Sequence, residues 1–429
     1  MIDTESTRSS LIAPFSGLRP APGRAAEVIA PPYDVMDAAE ARALVAERPW
    51  SMLHLSRPEV DLPADTAPDA PHVYAQAAAN LARMRAAGVL CDDTRPGYYV
   101  YRITRGRRAQ TGLVVAASLA AYRNGRIRRH EVTLAAKEDD RVRQIEALNA
   151  QTGPALLIHR RSPAIDDTLD AITQVVPAVD VEASDGVRHA LWVVDQEPII
   201  DRLTAGFEAQ QRLYIADGHH RTAAAARIAD TRPQSDLAAT GVASCNRFLA
   251  VSFPADALQI LAVHRVVRDL NGLDAATFLR RVGARFGIAE VPAPVQPKRP
   301  GEFGLYLDRT WYRLTLNPRH LPDADQLADP QSDPVAGLDV RLLQDHLLAP
   351  VLGIDNPRQD PRLDFVGGIR GLDGLMQSVD QGAMRLAFSL HPASLADLMA
   401  VADAGATMPP KCTWFETKLA DGLVSLVLE

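Results

Sequence analysis

Apolar residues along the chain recur with two periods, and the two periods separate strands from helices. Continuous or alternating apolar runs predict strands at 98–103, 113–119 and 126–128. Further runs do so at 154–159, 189–195, 213–215, 246–253 and 260–267. The last such stretches are 303–307, 310–316, 364–368 and 383–389, and Leu53-His54-Leu55 reads as one more short strand. Apolar residues at helical spacing predict helices at 38–46, capped by Asp37, and at 73–87, stopped by Gly88. Others are expected at 137–150, 198–207, 274–286, 338–348 and 394–404. Arg105-Gly106-Arg107 should join the first two long strands, and Asn124-Gly125 is placed to turn a hairpin before 126–128. The pattern implies an α+β protein with mixed sheets. Its regions are expected at 1–160 (α+β), 161–290 (a core holding the polar turn below) and 291–429 (α+β, completing a shared cleft).

The stretch from 189 to 230 reads strand, helix, strand, helix. That order predicts a parallel strand pair with its ligand edge at the carboxyl end. At that edge stands Leu213-Tyr-Ile-Ala-Asp217-Gly218-His219-His220-Arg221-Thr222, followed by an alanine run that favours helix. Gly218 permits a positive φ or a close backbone approach. A helix N-terminus attracts anions, Arg221 adds a fork of donors, and the imidazoles can donate, accept or bind metal. Asp217 could equally be no more than a cap.

Other polar groups stand on rigid backbone. Pro31-Pro32 present Tyr33 and Asp34 on an extended loop, either a structural corner or a pocket wall. His130 and Glu131 end a strand, where Glu131 can serve as general base or metal ligand. Glu138 and Asp139 open a helix and read as a solvated face. His264 and Arg265 interrupt an apolar strand, so their charge needs a buried partner: an anion, a carboxylate or a structural ion pair. Pro409-Pro410 hold Lys411, Cys412 and Thr413 in a row, Cys412 reading as an inert thiol.

Five blocks carry a resemblance: Ala30–Met36, Arg128–Thr133 with Lys137–Arg141, Tyr214–Ala225, Ala262–Leu270 and Met408–Lys418. Through them the whole chain resembles the bacterial and archaeal family DUF1015, departing from it at Cys412, where that family usually carries serine. The strand–turn–helix around Gly218 resembles the phosphate-binding core of the ParB/sulfiredoxin superfamily, which includes partition proteins, sulfiredoxins and free-serine kinases. The resemblance favours Tyr33 and Asp34 as pocket wall and Glu131 as a functional carboxylate. It implies catalytic roles for Glu131, Asp217, His219 and His220. It also implies binding roles for Tyr33, Asp34, His130, Gly218, Arg221, Thr222, His264, Arg265, Lys411 and Thr413, with Asp217 as the metal ligand.

Composition narrows the classes. A net charge of −7 argues against non-specific nucleic-acid binding. Only Lys137, Lys298, Lys411 and Lys418 are lysines, so a lysine in a motif is not there by composition alone. Three scattered cysteines and no apolar run of about 18 residues suggest a cytoplasmic protein with no membrane partner. The polar residues before Leu11 are expected to fray and form no secretory signal. The function expected is a small-molecule enzyme, foremost a kinase of serine or a similar hydroxylated metabolite, using ATP or ADP with Mg2+. The alternatives are a hydrolase of a small carboxylate-bearing amide or imide, and a non-enzymatic nucleotide-binding regulator. Asp34, Glu131, Arg221, His264 and Lys411 are expected to line one cleft.

Overall fold

A computed structural model describes residues 10–232, 244–321 and 333–428. The terminal residues expected to fray, 1–9, lie outside the described part. The protein is α+β, with several mixed sheets. The chain forms two compact units, 1–258 with 417–429, and 259–416. This division differs from the boundaries expected at 160 and 290, because strands from both of those regions hydrogen-bond into one sheet.

That sheet, in the first unit, has nine strands among the described residues. In chain order they are β1 (Ile12–Ala13), β2 (Tyr98–Arg105), β3 (Arg108–Ser118), β4 (Ile127–Arg128) and β5 (Ala155–His159). β6 (Val179–Glu182), β7 (Arg188–Val194), β8 (Leu213–Asp217) and β9 (Arg247–Pro254) complete it. The spatial order is β4-β8-β5-β9-β3-β2-β7-β6, with β1 against β3. The central strands β3, β5 and β9 read as near-continuous apolar runs because both faces are covered, and Val115, Leu157 and Ala250 are fully buried. Helices of this unit include α1 (Ala38–Val45), α2 (Pro71–Ala86), α3 (Ala135–Leu148), α4 (Glu197–Glu208) and α5 (His219–Thr231). Asp37 caps α1 in a reciprocal capping box with Glu40, as its position in the sequence predicts.

The parallel pair expected between β7 and β8 does not form: the two strands point the same way but four others separate them. β8 pairs in parallel with β4 instead, Leu213 opposite Ile127 and Tyr214 opposite Arg128. The Asn124-Gly125 hairpin is overturned for the same reason, since a helical turn at Leu119–Arg123 carries the chain away from β3 and delivers β4 to β8. Leu53–Ser56 is helical rather than extended. A run of three apolar-flanked residues cannot fix its own period. Here Asn80 of α2 donates to the His54 carbonyl and Asp61 takes the His54 ring.

A smaller sheet decides where the end of the chain lies. Ser425–Val427 is inserted between Gly17–Pro20 and Ala150–Gln151, with Leu90–Asp92 on the far edge. The Asp421 and Ala30 backbones bridge each other in both directions, at 2.9 and 3.1 Å. The residues before the terminus are thereby brought beside the Pro-Pro-Tyr33-Asp34 loop.

The second unit holds an antiparallel sheet of six strands among the described residues. Its strands are β10 (Val263–Val267), β11 (Phe286–Val291), β12 (Glu302–Leu307), β13 (Thr310–Leu316), β14 (Leu363–Gly367) and β15 (Leu386–Ser389), in the order β11-β13-β12-β15-β10-β14. The β12–β13 hairpin turns through Asp308-Arg309, both at positive φ. The helix expected over 274–286 stops at Val282, and Phe286 begins β11.

Leu157 of β5 is fully buried among the first unit's apolar side chains. Leu157→Ala is expected to destabilise that unit by ~2–5 kcal/mol, seen as a lower urea midpoint with the denaturant slope unchanged.

Candidate functional site

β4 and β8 lie side by side and point the same way; β8 runs directly into α5, and β4 leads through residues 129–134 into α3. The carboxyl end of such a pair is where side chains of two chain segments converge. From β4 come His130 and Glu131, ahead of α3; from β8 come Asp217, Gly218 and His219, opening α5. Gly218 stands at φ +93°, and an added Cβ would lie 3.0 Å from Ala155 Cα, so both conformation and space require glycine. α5 carries no side-chain cap, which leaves its first amides to another acceptor.

Asp217 organises one side of this turn. One carboxylate oxygen accepts from the Gly218 amide at 2.7 Å, and the other meets the Lys418 ammonium at 2.7 Å. Arg221 Nη2 stands 3.7 Å from the first oxygen, while its Nη1 donates to the Pro154 carbonyl at 2.6 Å. Burial works to raise the pKa of Asp217, but Lys418 and Arg221 outweigh it and hold the carboxyl well below its usual range. Asp217, expected as the metal ligand, is therefore engaged as an anchor for two cations.

Behind Arg221 lies a small cavity lined by Tyr33, Arg141, Gln151, Gly153, Arg221 and Asp421, among others. Its space of about 30 Å3 holds about two waters at ~10–15 Å3 each, too little for a nucleotide. The Arg141 guanidinium lies 4.1 Å from the centre of the Tyr33 ring. Arg57 donates to the carbonyls of Tyr33 and Met36 at 3.0 Å each, which ties the Pro-Pro loop down. Tyr33 is thus pocket wall, whereas Asp34 is exposed, within the electrostatic field of Arg221 and Lys418. Asp421 is buried, and its Oδ1 has no hydrogen-bond partner among the described residues. Burial pushes its pKa up to about 7, opposed by Arg221 and reinforced by Asp34.

The other side of the turn is made of imidazole. The His130 and His219 rings meet edge to face, 4.5 Å between centroids. His219 Nδ1 is 3.6 Å from Glu131 Oε2, and the His130 amide approaches His219 Nε2 at 3.4 Å. Burial lowers the pKa of His130 to about 4, with the Ile215 backbone opposing, and burial and His130 together keep His219 well below the ordinary histidine value.

Three residues of the polar blocks turn to structural work. His220 Nε2 accepts from the Leu134 amide at 3.1 Å, tying α5 to the start of α3. Thr222 is fully buried and its hydroxyl donates to the Gly218 carbonyl at 3.2 Å, so it does not face a phosphate. Asp139, read as solvated, pairs with Arg227 at 2.8 Å and so links α3 to α5. In the second unit, His264 accepts from the Leu390 amide at 3.2 Å. Arg265 there donates to the carbonyls of Val263 and Pro410 and stacks on Phe365. Carbonyl dipoles and a ring meet its buried charge, in place of the anion or carboxylate that the sequence suggests. Lys411 is exposed at φ +51°, and Cys412 is buried among apolar side chains. Asp34, Glu131 and Arg221 belong to the first unit and His264, Arg265, Lys411 and Thr413 to the second.

Sequence reasoning does not select Arg141, Lys418 or Asp421. Lys418 and Arg141 each carry one signal, as the last residues of resembled blocks, and Lys418 is also one of four lysines. Asp421 carries none, since only the fold brings it to Arg221.

The family described as "Protein of unknown function (DUF1015)" matches residues 12–341, and the chain belongs to it. No curated protein matches the chain. Among solved structures, it is similar to a free serine kinase in complex with AMP, at 12% identity over 71% of this chain and 88% of that one, TM-score 0.35. It is similar to a conserved hypothetical protein from Pyrococcus furiosus, at 12% identity, 70% and 91% coverage and TM-score 0.34. A C-terminally truncated SbnI from Staphylococcus aureus gives 13%, 73%, 87% and 0.37. Likenesses of this size carry no argument about function, which rests on the geometry above. No described helix is long and apolar enough to cross a membrane.

Asp421 generates a pH prediction. Its carboxyl titrates near 7 in the folded chain against an ordinary value of 3.8, so the folded state holds an extra proton between those values. The stability this group contributes is present below pH 4 and is lost as pH rises through 7. Asp421→Asn should therefore gain on the wild type by about 1.4 kcal/mol per pH unit across that window and level off above it. Urea midpoints measured from pH 4 to 8 check this, and parallel curves would show an ordinary carboxylate.

Proposed function

We propose that this protein is a small-molecule phosphotransferase, moving a phosphoryl group from a nucleotide to a hydroxylated acceptor such as serine. One observation carries the reading. The uncapped start of α5 has Arg221 and Lys418 on one side and the Glu131 carboxylate, 3.6 Å from His219, on the other. Phosphoryl transfer is mostly positioning and charge neutralisation, and it needs an anion seat with a carboxylate that can orient and deprotonate the attacking hydroxyl. Helix amides and the Arg221 fork supply the seat. Glu131 is about one-third exposed and faces an imidazole kept neutral by burial, so it is placed to accept a proton. The nucleotide lies on the open side of the turn, because the cavity behind Arg221 admits only water. Of the carboxylates near the turn, Asp217 is tied to cations and Asp421 is buried, so exposed Asp34 is the one that would hold Mg2+ brought in with a nucleotide.

ATP or ADP with Mg2+ should raise the melting temperature, and Arg221→Ala should abolish that rise while the apo protein stays folded by circular dichroism. Absence of a shift with any nucleotide would transfer the reading to a hydrolase, with Arg221 clamping a substrate carboxylate. Glu131→Gln should leave nucleotide affinity nearly unchanged and lower phosphate transfer to serine and similar acceptors ~10²-fold or more. Retained turnover in that variant would place the base elsewhere.

A further inference from the structure

His130 packs edge to face on His219 and is 1% exposed. Neither of its ring nitrogens meets a hydrogen-bond partner of normal geometry among the described residues, although the Ile215 backbone lies close enough to favour its charged form. A buried imidazole left in that state is costly, since each polar atom has given up water without replacement. Its surroundings supply what would satisfy it. A ring nitrogen of His130, a carboxylate oxygen of Glu131 and a ring nitrogen of His219 all lie within 4.8 Å of one another. His130 and Glu131 follow β4 and His219 follows β8, two adjacent parallel strands whose last paired residues are Arg128 and Tyr214, so the fold brings the three side chains to one place.

We propose that His130, Glu131 and His219 bind one first-row divalent transition-metal ion, with Zn2+ as the reference occupant. Two imidazoles and one carboxylate suit Zn2+, Co2+, Mn2+ or Fe2+, whereas Mg2+ prefers oxygen ligands alone. Tetrahedral donors around Zn2+ stand about 3.3 Å apart. The Glu131–His219 separation of 3.6 Å is near that value, and no other need close by more than roughly 1.5 Å. Glu131 can make that movement because its side chain is 37% exposed, and the same exposure leaves a face of the ion open to water or substrate. An ion on Nδ1 of His219 puts that ring's proton on Nε2, so the contact from the His130 amide gives way. At 3.4 Å it is already at the weak limit of hydrogen bonding. Burial favours the neutral imidazoles that metal binding requires. With one Glu131 oxygen on the ion, the second can accept the proton of an O–H group bound at the open face.

This site does not rest on the phosphotransferase reading, and its test uses no nucleotide. The full chain, stripped with chelator and exchanged into metal-free buffer, is titrated with Zn2+ by calorimetry and with Co2+ by visible absorption. One ion per chain is expected, with a Co2+ spectrum of low-symmetry nitrogen–oxygen coordination. Glu131→Ala, at a partly exposed position that should not disturb folding, should weaken Zn2+ binding at least ~10-fold, and His130→Gln should do the same. Should the histidine variant fail to fold, Cu2+ electron spin resonance on the wild type counts the imidazole nitrogens directly, two being expected. No stoichiometric uptake of Zn2+, Co2+ or Mn2+ by the folded wild type overturns the proposal. So does unchanged affinity in Glu131→Ala, or a Cu2+ spectrum without two equatorial nitrogens. A protein that takes up no such ion yet still gains melting temperature with MgATP would leave the phosphotransferase reading standing alone.

Discussion

The ion pair between Asp217 and Lys418 joins residues 201 positions apart and holds the turn on which the candidate site is built. It can form because the terminal strand at Ser425–Val427 is fastened between two others, delivering Lys418 to the end of β8. A partly buried carboxylate without a cation would raise its pKa and give up its charge. Lys418 and Arg221 prevent that, and the ionised Asp217 in turn keeps both cations in place at the start of α5. The glycine at φ +93°, the close approach to Ala155 and the uncapped helix all belong to this arrangement.

Two chemically distinct faces meet there. One is charged and hydrogen-bonded, with Asp217, Lys418 and Arg221 continuing into the small cavity of Arg141, Tyr33 and Asp421. The other is neutral and partly unsatisfied, with His130 and His219 packed edge to face beside Glu131. Their contrast lies in how far charge offsets burial. At His130 and His219 burial outweighs the nearby Asp217 carboxylate and keeps the imidazoles neutral, whereas at Asp217 the two cations outweigh burial and leave the carboxylate ionised. His219 follows Asp217 by two residues yet belongs to the other face.

Much of the local structure was legible. The strands at β2, β3, β5, β7 and β8, the helix cap at Asp37 and the β12–β13 hairpin follow from short-range periodicity and turn chemistry, which neighbours in sequence decide. The special demand on Gly218 was legible too, because a strand running directly into a helix leaves few other solutions. Leu53–Ser56 was not, since its helix is set by partners on α2 and at Asp61. Arg265 misled in a different way: a charge in an apolar strand announced a buried partner, but carbonyls and a ring can fill that role as well as a carboxylate.

The sequence by itself determined which segments become strands and helices and where rigid turns present polar groups, because those depend on spacing of a few residues and on the backbone limits of glycine and proline. It also brought out Glu131 and His219 as chemistry-bearing residues at element ends. Only the tertiary structure decided that β8 takes β4 rather than β7 as its parallel partner, which puts His130 and Glu131 against His219. It likewise decided that Lys418, Arg141 and Asp421 reach the surroundings of Arg221. Strand order is set by which apolar faces can be buried together across the whole sheet, and that selection leaves no mark in any one stretch of the chain.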